Sequence, residues 1–153
     1  MLALHQPTAS DLRSVAVGLK ISTDLERMGD LAVNICEQTL DLNKEEPLKT
    51  FVDLPKMAAK SQLMVKEALD ALVQRDVLVT KRICEADDEV DALRDEIFRE
   101  MVGLMQQKPE TITRAVRIII IARQLERIAD HATNIAEEVN FLVKGEDIRH
   151  GHV

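Results

Sequence analysis

The sequence predicts an all-α fold, an antiparallel three-helix bundle with one extra long helix from an incomplete first bundle. Three observations predict it. Apolar residues recur at spacings of three and four along most of the 153 residues. Glycine and proline are few, five and four, and fall mostly at candidate element ends. One fifteen-residue element occurs twice at a constant offset.

The first helix is read from about Thr8 to Leu42. Pro7-Thr8-Ala9-Ser10-Asp11 opens it, with capping-box-like spacing between Thr8 and Asp11. Its expected apolar stripe is Ile21, Leu25, Met28, Ala32 and Ile35. Asn43 to Lys49, polar and carrying Pro47, is the linker. Asp53-Leu54-Pro55 opens the second helix, since Asp caps and Pro is tolerated in a first turn. Its stripe is Met57, Met64, Val65, Ala68 and Leu72. A break falls near Arg75-Asp76, with Asp76 as the next N-cap. The third helix carries Val79, Ile83, Val90, Leu93, Ile97, Met101 and Leu104, and ends near Gln107-Lys108-Pro109. The fourth runs from about Glu110 to Val143 and stops at Lys144-Gly145. Its centre, Ile118 to Ile121, suits a short buried strand by propensity, but helical periodicity on both sides predicts helix.

Composition narrows the function. Net charge is −7, which disfavours a phosphate-backbone footprint and hence nucleic-acid binding. No apolar run has the length of a membrane span, and no secretory signal opens the chain. Two cysteines without a CxxC fit a reducing, cytoplasmic setting. There is no Trp or Tyr, and only three Phe, so aliphatic residues must fill the core.

Residues 23–37 read TDLERMGDLAVNICE and residues 123–137 read RQLERIADHATNIAE. Leu, Glu, Arg, Asp, Ala, Asn, Ile and Glu match at eight positions, from Leu25/Leu125 to Glu37/Glu137. The first and fourth helices are therefore copies of one element. Two full helices precede the second copy and four residues precede the turn before the first. The expected organisation is residues 1–46 as the last helix of an incomplete repeat, 47–144 as a complete three-helix repeat, and 145–153 as a tail. A lone amphipathic helix does not bury its stripe unaided, so the first helix should pack on the bundle or on its counterpart in another copy.

On the fourth helix, Leu125, Ile128, Ala132, Ile135 and Val139 share one face. Glu126, Asp130 and Asn134 line up roughly opposite, as do Glu26, Asp30 and Asn34 on the first helix. Like charges at i, i+4 cost a few tenths of a kcal/mol unless something offsets them. Carboxylate and amide oxygens are hard ligands that suit Mg²⁺, Ca²⁺, Mn²⁺ or iron. On the third helix, Asp87 and Asp91 repeat the spacing at the edge of the apolar stripe. Antiparallel third and fourth helices would set Asp87/Asp91 against Glu126/Asp130 across a groove. The competing reading is a solvated acidic stripe balanced by Arg94, Arg123 and Arg127, and the residues alone leave the two even. His5, His131, His150 and His152 show no paired ligand spacing, and Cys36, aligned with Ala136, reads as a small packing residue. No Glu-x-x-His, phosphate loop or Ser-His-Asp arrangement occurs, which weighs against a carboxylate-bridged oxidase or phosphohydrolase.

The doubled Leu-Glu-Arg-x-x-Asp-x-x-x-Asn-Ile element, Leu4-His5-Gln6-Pro7 with Asp11-Leu12-Arg13, and Asp87-Asp88-Glu89-Val90-Asp91 resemble the PhoU family. This is the accessory regulator family of bacterial phosphate-specific ABC transport. The likeness runs over nearly the whole chain. It implies a fold of tandem three-helix bundles, each bearing paired Glu/Asp-x-x-x-Asp motifs that bind metal clusters. By position it implies Asp87, Asp91, Glu126 and Asp130 as ligands of one site, with Glu26 and Asp30 left for the other. The ions implied are divalent metals or iron (Fe, Zn, Mg or Mn). The leading two helices of the first bundle, and the partner motif for Glu26 and Asp30, are missing from the pattern. The resemblance further implies a non-enzymatic cytoplasmic regulator that represses phosphate-starvation signalling. Its partners would be the transporter ATPase and the phosphate-sensor histidine kinase, and the chain would be a homo-oligomer. A metal-dependent enzyme and a metal-free helical scaffold stand as alternatives.

Overall fold

The computed structural model describes residues 9–48 and 53–144, with side chains from Asp11 onward. Thr8, the histidines at 5, 150 and 152, and the expected tail lie outside the described residues. Four helices follow one another: α1 (Ala9–Leu42), α2 (Asp53–Gln74), α3 (Val79–Gln107) and α4 (Ile112–Lys144), the last preceded by a short 3₁₀ turn at Pro109–Thr111. Ile118–Ile121 is helical, as the flanking periodicity predicts. Four consecutive isoleucines suit a helix there because α4 is the central element, touched by α1, α2 and α3 on different sides.

The α2–α3 turn forms differently from expectation. Arg75 takes a left-handed conformation at φ 55, and the Asp76 N–H donates to the Ala71 carbonyl at 3.0 Å. This closes α2 with a residue that lacks glycine's freedom. Asp76 is not the N-cap of α3, which is Leu78. Its carboxylate instead accepts from the Leu78 N–H at 2.9 Å and shapes the turn one step before the helix.

α2 and α3 are antiparallel, joined by the ion pairs Arg82–Glu67 at 3.1 Å and Lys60–Glu89. α3 and α4 are antiparallel too, since Arg94 reaches Glu126 while Thr80 donates to the Ala136 carbonyl at 3.3 Å. Met57, Met64, Ile83, Met101, Ile118 and Ile135 are among the largest fully buried side chains. The aliphatic and methionine core inferred from the scarcity of aromatics is therefore what fills the centre.

α1 docks within the chain, and among the described residues it packs against α4 and no other helix. The pairing is antiparallel, with Lys20 beside Glu138 and Asp41 beside Arg117. Its buried stripe is Val17, Ile21, Met28 and Leu31, with Asp24 and Ile35 half-buried. The expected members Leu25 and Ala32 are exposed instead. With one neighbour rather than three, α1 buries a narrow strip, and the adjacent apolar positions stay outside it.

Candidate functional site

The site sits where α3 and α4 run side by side. α3 contributes Asp87 and Asp91, one turn apart, and α4 contributes Glu126 and Asp130, also one turn apart. The antiparallel crossing brings these two pairs into one electrostatic group. The Asp87 carboxyl is pushed up to about 6, first by burial and then by Asp130, Asp91, Asp88 and Glu126. Asp130 is raised by burial and by Asp91, against the pull of His131, Arg94 and Arg127. Glu126 is raised by burial and by Asp130, with Arg94 opposing.

Arg94 organises the cluster. Its guanidinium lies 2.8 Å from Glu126, 3.3 Å from Asp91 and 3.0 Å from Asp95. Burial works against its charge, yet the three carboxylates hold its pKa above the ordinary value. From the Glu126 side the balance is reversed, because burial and Asp130 outweigh the one arginine. The group as a whole is thus under-neutralised.

The donor set fits a hard cation in chemistry, because crowded carboxylates with raised proton affinity are relieved by positive charge. It is not preassembled: among the described residues, no three His, Cys, Asp or Glu side chains group as a ready metal sphere. Asp91 and Glu126 turn toward Arg94 instead. Binding an ion through all four carboxylates would require Arg94 to release Asp91 and Glu126.

The remaining sequence-marked residues lie elsewhere. Glu26, Asp30 and Asn34 are exposed along α1, away from the α4 contact. Asn134 lines a separate cavity of about 310 Å³ against α1, together with Thr23 and Arg27. Cys36 is exposed, and the Cys84 thiol is pushed up by burial and by Glu137, Asp87 and Asp88, which keeps it protonated. Besides Arg117 with Asp41 at 2.8 Å and with Gln38 at 2.9 Å, two polar contacts across α1 and α4 escaped the sequence reading: Lys20–Glu138 at 3.0 Å and His131 Nδ1–Asp24 at 2.8 Å. Their one signal was polar residues at stripe positions, Asp24 between Ile21 and Met28, and Glu138 beside Val139.

Comparison with known proteins decides the lineage. The PhoU domain matches residues 1–39 and 54–139. The chain belongs to the PhoU family. A phosphate-specific transport system accessory protein PhoU homolog of Aquifex aeolicus is 42% identical over 153 residues, covering 100% of this chain and 69% of that protein. The homolog of Deinococcus radiodurans is 40% identical over 145 residues, covering 95% and 68%. The crystal structure of PhoU from Pseudomonas aeruginosa superimposes with a TM-score of 0.90 at 39% identity, over 95% of this chain and 70% of that one. The chain spans about two thirds of the length of these PhoU relatives. The Aquifex and Deinococcus homologs carry the name of a phosphate-specific transport system accessory protein, which assigns the family to phosphate transport and its regulation. Among the described residues no helix is long and apolar enough to cross a membrane.

Proposed function

We propose that this PhoU-family chain is a cytoplasmic, non-enzymatic regulator of phosphate uptake that represses phosphate-starvation signalling. It acts by contact with the ATPase of the phosphate ABC transporter and with the phosphate-sensor histidine kinase. The carrying observation is the match to PhoU accessory proteins over nearly the whole chain. A metal held by Asp87, Asp91, Glu126 and Asp130 would supply neutralising charge to an under-neutralised surface. Glu26 and Asp30 are the residual half of a second metal site. The ion is Fe, Zn, Mg or Mn, in keeping with the oxygen donors.

Residues 1–46 are read as the last helix of an incomplete repeat. What supports this is unequal burial of equivalent positions. Leu25 is 41% exposed and Leu125 only 7%. Ala32 and Cys36 are exposed whereas Ala132 and Ala136 are buried within the bundle. The uncovered face also supports self-association into a homo-oligomer.

The test is co-purification of the chain with the transporter ATPase, comparing wild type with Glu126→Gln/Asp130→Asn. The expected result is capture by wild type and at least tenfold weaker capture by the double variant. Equal capture removes metal from the mechanism, and no capture by wild type removes the ATPase as a partner. Phosphoester turnover by metal-loaded protein would replace the regulatory reading with an enzymatic one.

A further inference from the structure

Beyond the carboxylate cluster the α3–α4 groove continues with a different chemistry. At 100° per residue, Ile112, Val116, Ile119, Arg123, Glu126 and Asp130 fall within about 80° of the α4 circumference. Asp87, Asp91, Arg94, Phe98, Val102 and Met105 do the same on α3. The antiparallel crossing sets these two rows side by side, since Arg94 reaches Glu126 and Phe98 and Ile119 line one cavity of about 510 Å³. One end of the groove is therefore acidic and the other apolar.

The apolar end is open. Phe98 is 51% exposed, Ile112 47% and Val116 41%, while Val102, Met105 and Ile119 are half-buried. Single apolar residues on a surface need no explanation, but a continuous row of them along one groove marks a place for a partner. At the acidic end the arginines are already drawn to carboxylates, Arg94 to Asp91, Asp95 and Glu126 and Arg127 toward Asp130. Burial and then mutual repulsion still raise the proton affinity of Asp87, Glu126 and Asp130. Further positive charge is what stabilises that end.

We propose that the α3–α4 groove docks an amphipathic helix of a partner protein, its apolar stripe on Phe98, Val116 and Ile112 and its Lys or Arg side chains at Asp87, Asp91 and Asp130. A groove between two packed helices accepts a third through anchors at i, i+3, i+4 and i+7. From Ile112 to Asp130 it runs about 27 Å at 1.5 Å per residue, the length of a helix of about eighteen residues. The partner helix is thus apolar in one half and cationic in the other. A metal ion alone satisfies the acidic end and leaves the apolar end in water. A second copy fits poorly, because the exposed α1 face carries Glu26 and Asp30 and the chain has a net charge of −7. This docking deepens the partner contact proposed above and rests on it.

The experiment is fluorescence anisotropy of a labelled helical peptide of about eighteen residues with the 153-residue chain, in chelator so that metal does not occupy the carboxylates. The peptide carries Leu at i, i+3, i+4 and i+7 in one half and Lys on the same face in the other. It is expected to bind, more weakly at high salt. Phe98→Ser/Val116→Ser and Asp91→Asn/Asp130→Asn should each bind it at least tenfold more weakly, as should wild type a peptide with Glu in place of Lys. Circular dichroism confirms that both variants remain helical. Equal binding of a composition-matched peptide in which Leu and Lys alternate along the face reports general attraction and overturns the proposal. No binding by wild type also overturns it, and leaves the ATPase contact to the capture experiment above. Peptide binding without ATPase capture supports the groove and removes that ATPase as its occupant.

Discussion

Arg94 on α3 donates to Glu126 on α4 at 2.8 Å and thereby places a cation against a carboxylate that burial has already made reluctant to ionise. This pair joins the two helices and occupies the position where an added cation would be most effective. Removing the arginine therefore has two opposite consequences.

Arg94→Ala should lower the stability of metal-free protein by about 1–2 kcal/mol, because a partly buried carboxylate loses a charge-assisted bond. The same variant should show a larger thermal stabilisation by Mn²⁺ or Mg²⁺ than wild type, since the competitor for Glu126 and Asp91 is gone. Denaturant melts with chelator, and thermal melts with metal, check the two halves. A variant whose metal response is no larger than wild type argues against these carboxylates as ligands.

The cluster also carries a pH signature. Asp87 loses its proton near 3.8 when unfolded and at about 6 when folded. Between these values the native state holds the extra proton, so this group's contribution is most favourable at low pH. It declines as pH rises from 3.8 to about 6 and is constant above. Asp87→Asn should accordingly be more stable than wild type in chelator above pH about 6, by ~1 kcal/mol after solvent screening. The advantage should shrink toward acid. Parallel urea melts across this range measure the gap, and a gap that widens at low pH contradicts the assignment.

The clasp between α1 and α4 is testable separately. Glu138 is buried while Lys20 remains half in water. Lys20→Met should remove this charge-assisted bond to the buried carboxylate and cost about 1–2 kcal/mol. Hydrogen exchange should quicken along α1 well before it does in α2 and α3, because among the described residues α4 is the one helix that holds α1. Uniform quickening in all helices would mean that α1 unfolds only with the whole bundle.

In the core, Ile118 is fully buried on the helix that all others touch. Ile118→Ala should cost about 3–4 kcal/mol through lost transfer energy and a residual cavity. Chemical denaturation gives the value directly, and a cost near that of a surface change would show that α4 is not the central element.

Much of the fold is legible in the sequence. The four helices and their ends near Leu42, Gln74 and Gln107 follow from apolar spacing and from Pro47, Pro55 and Pro109, which act over a few residues. The pairing of Asp87/Asp91 with Glu126/Asp130 followed from i, i+4 spacing and an antiparallel hairpin. Three things were not legible. Arg75 in a left-handed turn has no glycine to announce it. Leu25 and Leu125 occupy matching motif positions, yet one is exposed and the other buried. The grip of Arg94 on three carboxylates depends on side-chain reach across two helices.

Sequence alone therefore determined the helices, the internal repeat, the family, and which carboxylates share a helix face. These properties are local or periodic, and a one-dimensional pattern carries them. Tertiary structure decided which copy of the motif is covered, because burial depends on the neighbours a helix finds. It also decided that the α3–α4 carboxylates are crowded and under-neutralised around Arg94, because proton affinity depends on distances between charges that lie far apart in the chain.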